Sequence, residues 1–422
     1  MKLIVIALFA LTYVLMLSIP SKRHYFAAAI AAVYIAMGVV GGEEAFFAVD
    51  WNIIMMLFGT MGTVYLFIES KMPNKISDIM INKIKNVKLV FIVMALFAGL
   101  VSAFIDNVAT VLMLAPIAVA ISKKFNVSPV KSVLAVAVSS NLQGAATLVG
   151  DTTSILLGGY AGMDFLDFFV MNGKLGMFFI VQAGAVATIP VLYWIFRKEN
   201  NRIDNMPVTE VTNIFPSVAL LGTVGALIVA SFIPEKPAIT NGIICILIFI
   251  FALIYEVWIN KTKGIVKSSL ESVDFQTLLL LGGLFIIIQG ITNVGLIEDI
   301  GNFFVLISGD SIFLVYTILV WFSVIVSAFI DNIPYVATML PVVSTISAKL
   351  GIDPTVLYFG LLAGATLGGN ITPVGASANI AAGGILRKEG YEVSVKEFTS
   401  IGIPFTLCAV ITGYVLIWLI HS

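Results

Sequence analysis

Helix-sized apolar runs follow one another along almost the whole chain, parted by short polar stretches. Most are close to the roughly 20 residues that an α-helix needs to cross the hydrocarbon core of a bilayer. Charged residues make up 11% of the chain and hydrophobic residues 59%, where soluble domains carry about 25% charged residues. So few charges cannot build a water-facing surface, so the solvent must be lipid. The runs lack the short alternating pattern of a membrane barrel. In lipid, every backbone N–H and C=O must be satisfied internally. The expected fold class is therefore all-α, a polytopic membrane protein of about ten transmembrane helices plus two re-entrant hairpins in an inverted repeat.

Simple spans are expected at 2–19, 24–42, 50–70, 129–160, 173–196, 213–233, 237–259, 273–296, 353–386 and 397–420. Residues 3–19 resemble a signal peptide in that Lys2 precedes an apolar run. No clear cleavage site follows, and Pro20-Ser21-Lys22-Arg23 leads straight into the next run, so they are read as the first span. Two stretches, 88–122 and 310–348, are too long for one span and carry Asp-Asn near the middle without a hydrophilic loop. A tight polar apex between two helical arms predicts a hairpin that enters and leaves on one side. Non-helical backbone is tolerated at such depth only where protein or a water-filled cavity satisfies it.

Counting loops alternately puts 19 of the 23 Lys and Arg residues on one side, from Lys22 and Arg23 to Lys396. Lys2, Lys174, Lys236 and Lys349 fall on the other. The excess of positive charge marks the cytoplasmic side. An integral plasma membrane protein with both termini extracytoplasmic is expected. Reading each hairpin as two full spans leaves this parity unchanged.

The chain repeats itself at a shift of 224–225 residues. Val49-Asp50-Trp51 matches Val273-Asp274-Phe275, and Ser102-Ala-Phe-Ile-Asp106-Asn107 matches Ser327-Ala-Phe-Ile-Asp331-Asn332 without a mismatch. Pro116 matches Pro341, and Thr147-Leu-Val-Gly150 matches Thr372-Pro-Val-Gly375. The first repeat is placed at 1–200 with a cytoplasm-opening hairpin, 201–212 is a cytoplasmic linker, and the second repeat is 213–422 with an outward-opening hairpin. An odd number of spans per copy inserts the copies with opposite orientation. Inverted repeats suit secondary transport, because exchanging the conformations of two similar halves opens a midplane site to the other side.

Four segments carry the polar chemistry. Two are the apices, with Asp106, Asn107 and Thr110 in one and Asp331, Asn332 and Thr338 in the other. The others interrupt long spans: one holds Thr147, Gly150 and Asp151, and its partner holds Asn370, Thr372, Gly375, Ser377 and Asn379. Glycines and Pro373 unwind these spans, freeing carbonyls that can coordinate a cation and helix N-termini that can hold an anion. A charge at membrane depth costs several kcal/mol, roughly 2.5–3.5 on insertion scales. Two Asp at equivalent positions therefore suggest bound cations or titratable carboxylates. Both also fit N-caps of the following arm, and the two roles can coexist. Asp50 and Asp274 read as caps at span starts, and Glu69, Gln143, Gln289 and Asn293 as interhelical hydrogen-bonding groups. The Lys-rich stretch 71–88 reads as a solvated loop.

Other chemistries find little footing. The net charge of −1 offers no field for nucleic acid. Cys245 and Cys408 lie far apart in apolar runs, and His24 and His421 sit near span ends, so no metalloenzyme or disulfide framework is indicated. No phosphate-binding loop occurs, although a separate ATPase subunit is compatible with the sequence. An intramembrane aspartyl protease would need converging Asp residues, one in a Gly-x-Gly-Asp setting, and Leu148 stands at the first Gly position. No enzyme activity and no cofactor are expected.

At the four segments the sequence resembles the ion transporter superfamily, whose members share a citrate-transporter-like domain. It looks closest to the branch with arsenite permeases, the P protein of melanosomes and a class of bacterial sodium/proton antiporters. Thr147-Leu-Val-Gly150-Asp151 is similar to that branch's Thr-Leu-Ile-Gly-Asp. The branch often continues Pro-Pro-Asn, where this chain has Thr152-Thr153-Ser154. Thr372-Pro-Val-Gly375-Ala-Ser377-Ala-Asn379 fits the pattern better. Dicarboxylate carriers of the superfamily have Ser-Asn-Thr at the apices, where Asp106 and Asp331 take the Ser positions here. The resemblance implies Asn107 and Asn332 as ligands of sodium or substrate, protons or sodium as coupling ions, an elevator-like motion, and the homodimer that many relatives form. The expected function is secondary transport of a small inorganic ion or oxyanion, as in arsenite permeases. A sodium/proton antiporter, a sodium-coupled di- or tricarboxylate carrier and a passive channel are the alternatives.

Overall fold

The computed structural model describes residues 1–84, 86–201, 208–211, 213–309 and 311–422. Lys85, Arg202, the middle of the linker and the first residue of the second expected hairpin thus lie outside the described residues. The described chain is almost wholly helical. Its sheet is a two-residue ladder, Val170–Met171 against Lys174–Leu175, turned by Asn172 and Gly173 at φ 53° and 75°. Among the described residues, seven helices are long and apolar enough to cross a membrane, or nine if each of two sharply bent pairs is one span. The chain is a polytopic all-α membrane protein.

At the N-terminus the two expected spans are two helices, and the second is shorter than expected. Helices Lys2–Ser18 and Arg23–Ala36 are each short, and a 120° bend separates Lys2–Ser18 from Pro20–Ala36. Pro20 removes a backbone donor there and opens a 3₁₀ turn, Pro20–Lys22. The expected span to residue 42 stops at Ala36, because Gly38 turns the chain at φ 69°. The Lys-rich stretch is corrected too. Met72–Lys83 is a helix, and it buries Pro73, Ser77 and Ile81, which recur every four residues on one face. Leu296–Ser308 is its counterpart in the second half and buries Ile297, Gly301, Phe304 and Ser308.

Both expected hairpins are helix pairs with short apices. Val87–Ser102 and Asn107–Lys124 form the first, and Ile312–Ser327 and Asn332–Leu350 the second. Both expected interrupted spans are broken. Val130–Gly144 yields to Thr152–Ala161, and Thr355–Gly368, through a 3₁₀ turn at Gly369–Ile371, yields to Ser377–Lys388.

Packing sorts these elements into two groups. In the first, helix Trp51–Glu69 packs along Thr240–Trp258, and Phe275–Asn293 packs along Arg23–Ala36. Each pair joins the two halves of the sequence. Glycine makes the approach close. A Cβ on Gly283 would lie 2.7 Å from the Ala27 carbonyl carbon and 2.9 Å from the Ala28 nitrogen, and a Cβ on Gly59 would overlap the same atoms of Cys245 and Ile246. In the second group, the first arm of each hairpin packs on the first helix of its own broken span. The second arms cross over: Asn107–Lys124 packs on Ser377–Lys388, and Asn332–Leu350 on Thr152–Ala161. This crossing brings both apices and both breaks together.

Candidate functional site

The apices form because Asp is a good N-cap. Asp106 Oδ1 accepts from Val108 N at 2.9 Å and Ala109 N at 3.1 Å, and Asp331 Oδ1 accepts from Ile333 N at 3.1 Å. Each cap uses one carboxylate oxygen and leaves the other available for a further contact. Asp331 Oδ2 is taken by Arg23 Nη1 at 2.5 Å and by Ser377 Oγ at 3.0 Å. Asp106 Oδ2 has no partner among the described residues and belongs to a cavity wall.

The breaks are tied to the apices by repeated contacts. Thr147 Oγ1 donates to the Ala103 carbonyl, and Thr372 Oγ1 to the Ala328 carbonyl. Gly150 lies under three carbonyls, so that a Cβ would sit 2.6 Å from Gly144 O and 2.8 Å from Ser102 O and Ala103 O. Gly375 lies under the equivalent three, with Gly369 O at 2.6 Å and Ser327 O and Ala328 O at 2.9 Å from its would-be Cβ. Only glycine admits so many oxygens at one point.

A cavity of about 330 Å³ opens where these segments meet. Of the residues singled out from sequence, Asp106, Asn107, Asp151, Asn332 and Ser377 line it. Asp151 accepts from Thr152 N at 2.7 Å, from Thr153 Oγ1 at 2.9 Å and from Asn332 Nδ2 at 3.5 Å, which joins the first break to the second apex. No ion pair involves Asp106 or Asp151 among the described residues, and no Lys, Arg or His lines the cavity.

The remaining candidates lie behind the wall. Thr147, Gly150, Thr372 and Gly375 hold the break geometry. Asn370 joins an amide chain in which Asn107 Nδ2 donates to Asn141 Oδ1 at 2.7 Å and Asn141 Nδ2 to Asn370 Oδ1 at 2.9 Å. Asn379 Nδ2 donates to Gly369 O at 2.9 Å and Thr372 O at 3.0 Å, while its buried Oδ1 has no partner among the described residues. Thr110 is fully buried, with no partner for its hydroxyl among the described residues. Thr338 is bound to Tyr13 Oη at 2.6 Å, away from the cavity.

Four participants were not legible as such. Asn141 closes the amide chain between the halves; a lone Asn inside an apolar run was its only signal. Asp274 caps its helix through Thr277 N at 3.0 Å, as expected, and also lines the cavity. Arg23 passes for one more positive charge in a cytoplasmic turn. Tyr13 passes for a span residue.

Comparison with known proteins agrees with this architecture. An uncharacterized transporter of Mycobacterium tuberculosis is 29% identical over 427 residues, covering 99% of this chain and 98% of that one. The P protein of Homo sapiens is 26% identical over 470 residues, covering 92% of this chain and 56% of its own length. Among solved structures, the YdaH transporter of Alcanivorax borkumensis superposes with a TM-score of 0.59 at 15% identity, covering 91% of this chain and 87% of that one. MtrF of Neisseria gonorrhoeae, described within a class of antimetabolite efflux pumps, gives a TM-score of 0.59 at 15% identity, covering 92% and 83%. The family model for the citrate transporter matches residues 13–364, most of the chain and both apices, and the protein is a membrane transporter that belongs to this CitMHS family.

Proposed function

We propose that this chain is a secondary active transporter of a small inorganic ion or oxyanion, coupled to protons or sodium, and that its two halves work as an inverted repeat in an elevator-like cycle. The observation that carries the reading is the single cavity shared by both apices and both breaks, with Asp106 and Asp151 in its wall and no cationic side chain beside them. Carboxylates without a fixed cationic partner at membrane depth are costly unless a mobile cation or proton neutralises them. The carbonyls gathered at Gly150 and Gly375 are hard oxygen ligands of the kind sodium accepts at unwound helices.

The same charge pattern bears on substrate. Two unpaired carboxylates disfavour a free di- or trianion. Citrate, named in the family's description, would enter this cavity only with cations that offset its charge. A neutral hydroxylated species such as undissociated arsenous acid, or a cation, fits the wall better.

A second reading, a sodium/proton antiporter, is favoured by the absence of any cationic side chain in the wall. Proteoliposome flux under imposed sodium and proton gradients separates the two. Proton movement driven by sodium alone supports the antiporter, and dependence on added arsenite or antimonite supports the first reading. Conduction without saturation or coupling would contradict both and leave a passive channel.

A further inference from the structure

The repeat supplies a residue-by-residue map between the two helix pairs of the first packing group. Gly59 and Gly283 are 224 residues apart, and they press on the same atoms: the carbonyl of Cys245 with the amide of Ile246, and the carbonyl of Ala27 with the amide of Ala28. Ala27 therefore corresponds to Cys245, and counting back four residues in each helix, Arg23 corresponds to Asn241. Asp331 corresponds to Asp106 by the unbroken six-residue match.

These correspondences are not realised alike. Arg23 and Asp331 form an ion pair at 2.5 Å, with side chains 20% and 11% exposed. Among the described residues, no hydrogen bond joins Asn241 to Asp106. Asp106 faces the cavity, and Asn241 is buried with its Oδ1 unpartnered among the described residues. The cavities show the same offset. The inner one reaches the apices and is bounded by Tyr65, Ile68 and Asp274. Another, bounded by Asp50, Trp51 and Gln289, meets the middle of Asn332–Leu350 at Ala337, Leu340 and Pro341 and helix Thr152–Ala161 at Leu156 and Tyr160, and none of its lining residues belongs to an apex. The apex group thus sits against one end of the first packing group and away from the other.

Resting on the transport reading above, we infer that Arg23 is a positioning residue that clamps Asp331 in this state, and that Asn241 is its neutral counterpart for Asp106 in the opposite state. Exchanging the conformations of the halves breaks the first contact and forms the second. The clamp is asymmetric by chemistry. A guanidinium holds a partly buried carboxylate through a charge-assisted bond, and a carboxamide offers a neutral one. Tyr13 adds to the bias, donating to Pro334 O at 2.9 Å. The equivalent helix, Phe215–Ala230, contains no tyrosine. Asp274, the cap of Phe275–Asn293, also acts electrostatically on Arg23. The resting protein is accordingly biased toward the state whose cavity opens past Tyr65 and Ile68.

The test places one cysteine at Ala109, a half-buried wall residue of the first apex, in a C408S background that keeps the fully buried Cys245. A membrane-impermeant maleimide is applied to right-side-out and inverted vesicles. The parent should label mainly from the face bounded by Tyr65 and Ile68. R23Q should move the labelling ratio toward the other face by about tenfold or more. N241R leaves the Arg23 pair intact, adds a clamp for Asp106, and should move the ratio the same way. R23K should stay within about twofold of the parent. If R23Q does not fold, N241R tests the same asymmetry from the other end. A folded N241R that labels like the parent overturns the inference, as does a folded R23Q that does so. Absence of any coupled flux in the parent protein would instead defeat the transport reading, whatever the labelling shows.

Discussion

Asp106 and Asp331 share a cap geometry and a repeat position, yet their second oxygens meet different worlds: one faces a cavity, the other a guanidinium. Sequence showed the pair and its two compatible roles but not this difference, because Arg23 lies 308 residues from Asp331 and reads as a loop charge. Asn141 was missed for a related reason. Its partners, Asn107 and Asn370, belong to different halves and meet only after the broken spans cross. Replacing Asn141 by leucine leaves a buried donor on Asn107 and a buried acceptor on Asn370. Each unsatisfied group costs about 1–3 kcal/mol, so N141L should melt well below the parent in detergent, with N141Q nearer to it. Gly150 and Gly375 were legible through the repeat as break points. Their carbonyl surroundings predict that G150A and G375A each lose about 1–3 kcal/mol from overpacking, read as a fall in melting temperature. An unchanged melt in both would mean that the carbonyls can withdraw.

At the scale of elements, the long apolar runs were readable because lipid demands them, and the hairpins and broken spans because polar residues and glycines interrupt those runs. The amphipathic helices Met72–Lys83 and Leu296–Ser308 were not. A short helix lying against protein carries too many charges for a span and too few signals for anything but a loop. Its period becomes visible once the buried face is known. Ile81 is 3% exposed and Ile79 is 40% exposed on the same helix. I81D buries a charge without a partner and should cost several kcal/mol, whereas I79D should stay within about 0.5 kcal/mol of the parent. Equal melting curves for the two would remove the helix from the packed structure. The bend at Pro20 also escaped, because the polar Pro20–Arg23 segment looks the same in sequence whether it closes a loop between full spans or a tight turn between short helices.

Over the whole molecule, the repeat carried the most information. It fixed which segments converge, since equivalent elements make equivalent contacts: carbonyls over Gly150 and Gly375, threonines on Ala103 and Ala328, backbones against Gly59 and Gly283. It gave no state and no substrate, because both depend on where the apex group sits and on side chains that break the symmetry. Asp151 is one of these. Its counterpart is Ala376, so the first break has a carboxylate that the second lacks. On the proposed mechanism, coupling of transport to a cation or proton gradient runs through Asp106 and Asp151. It is tested most directly by gradient-driven flux in proteoliposomes of the purified parent, D106N and D151N, reconstituted at equal density. Saturable coupled flux is expected in the parent, with its loss in both variants by about 100-fold or more and folding intact. Parent-like coupled flux in both variants would contradict it.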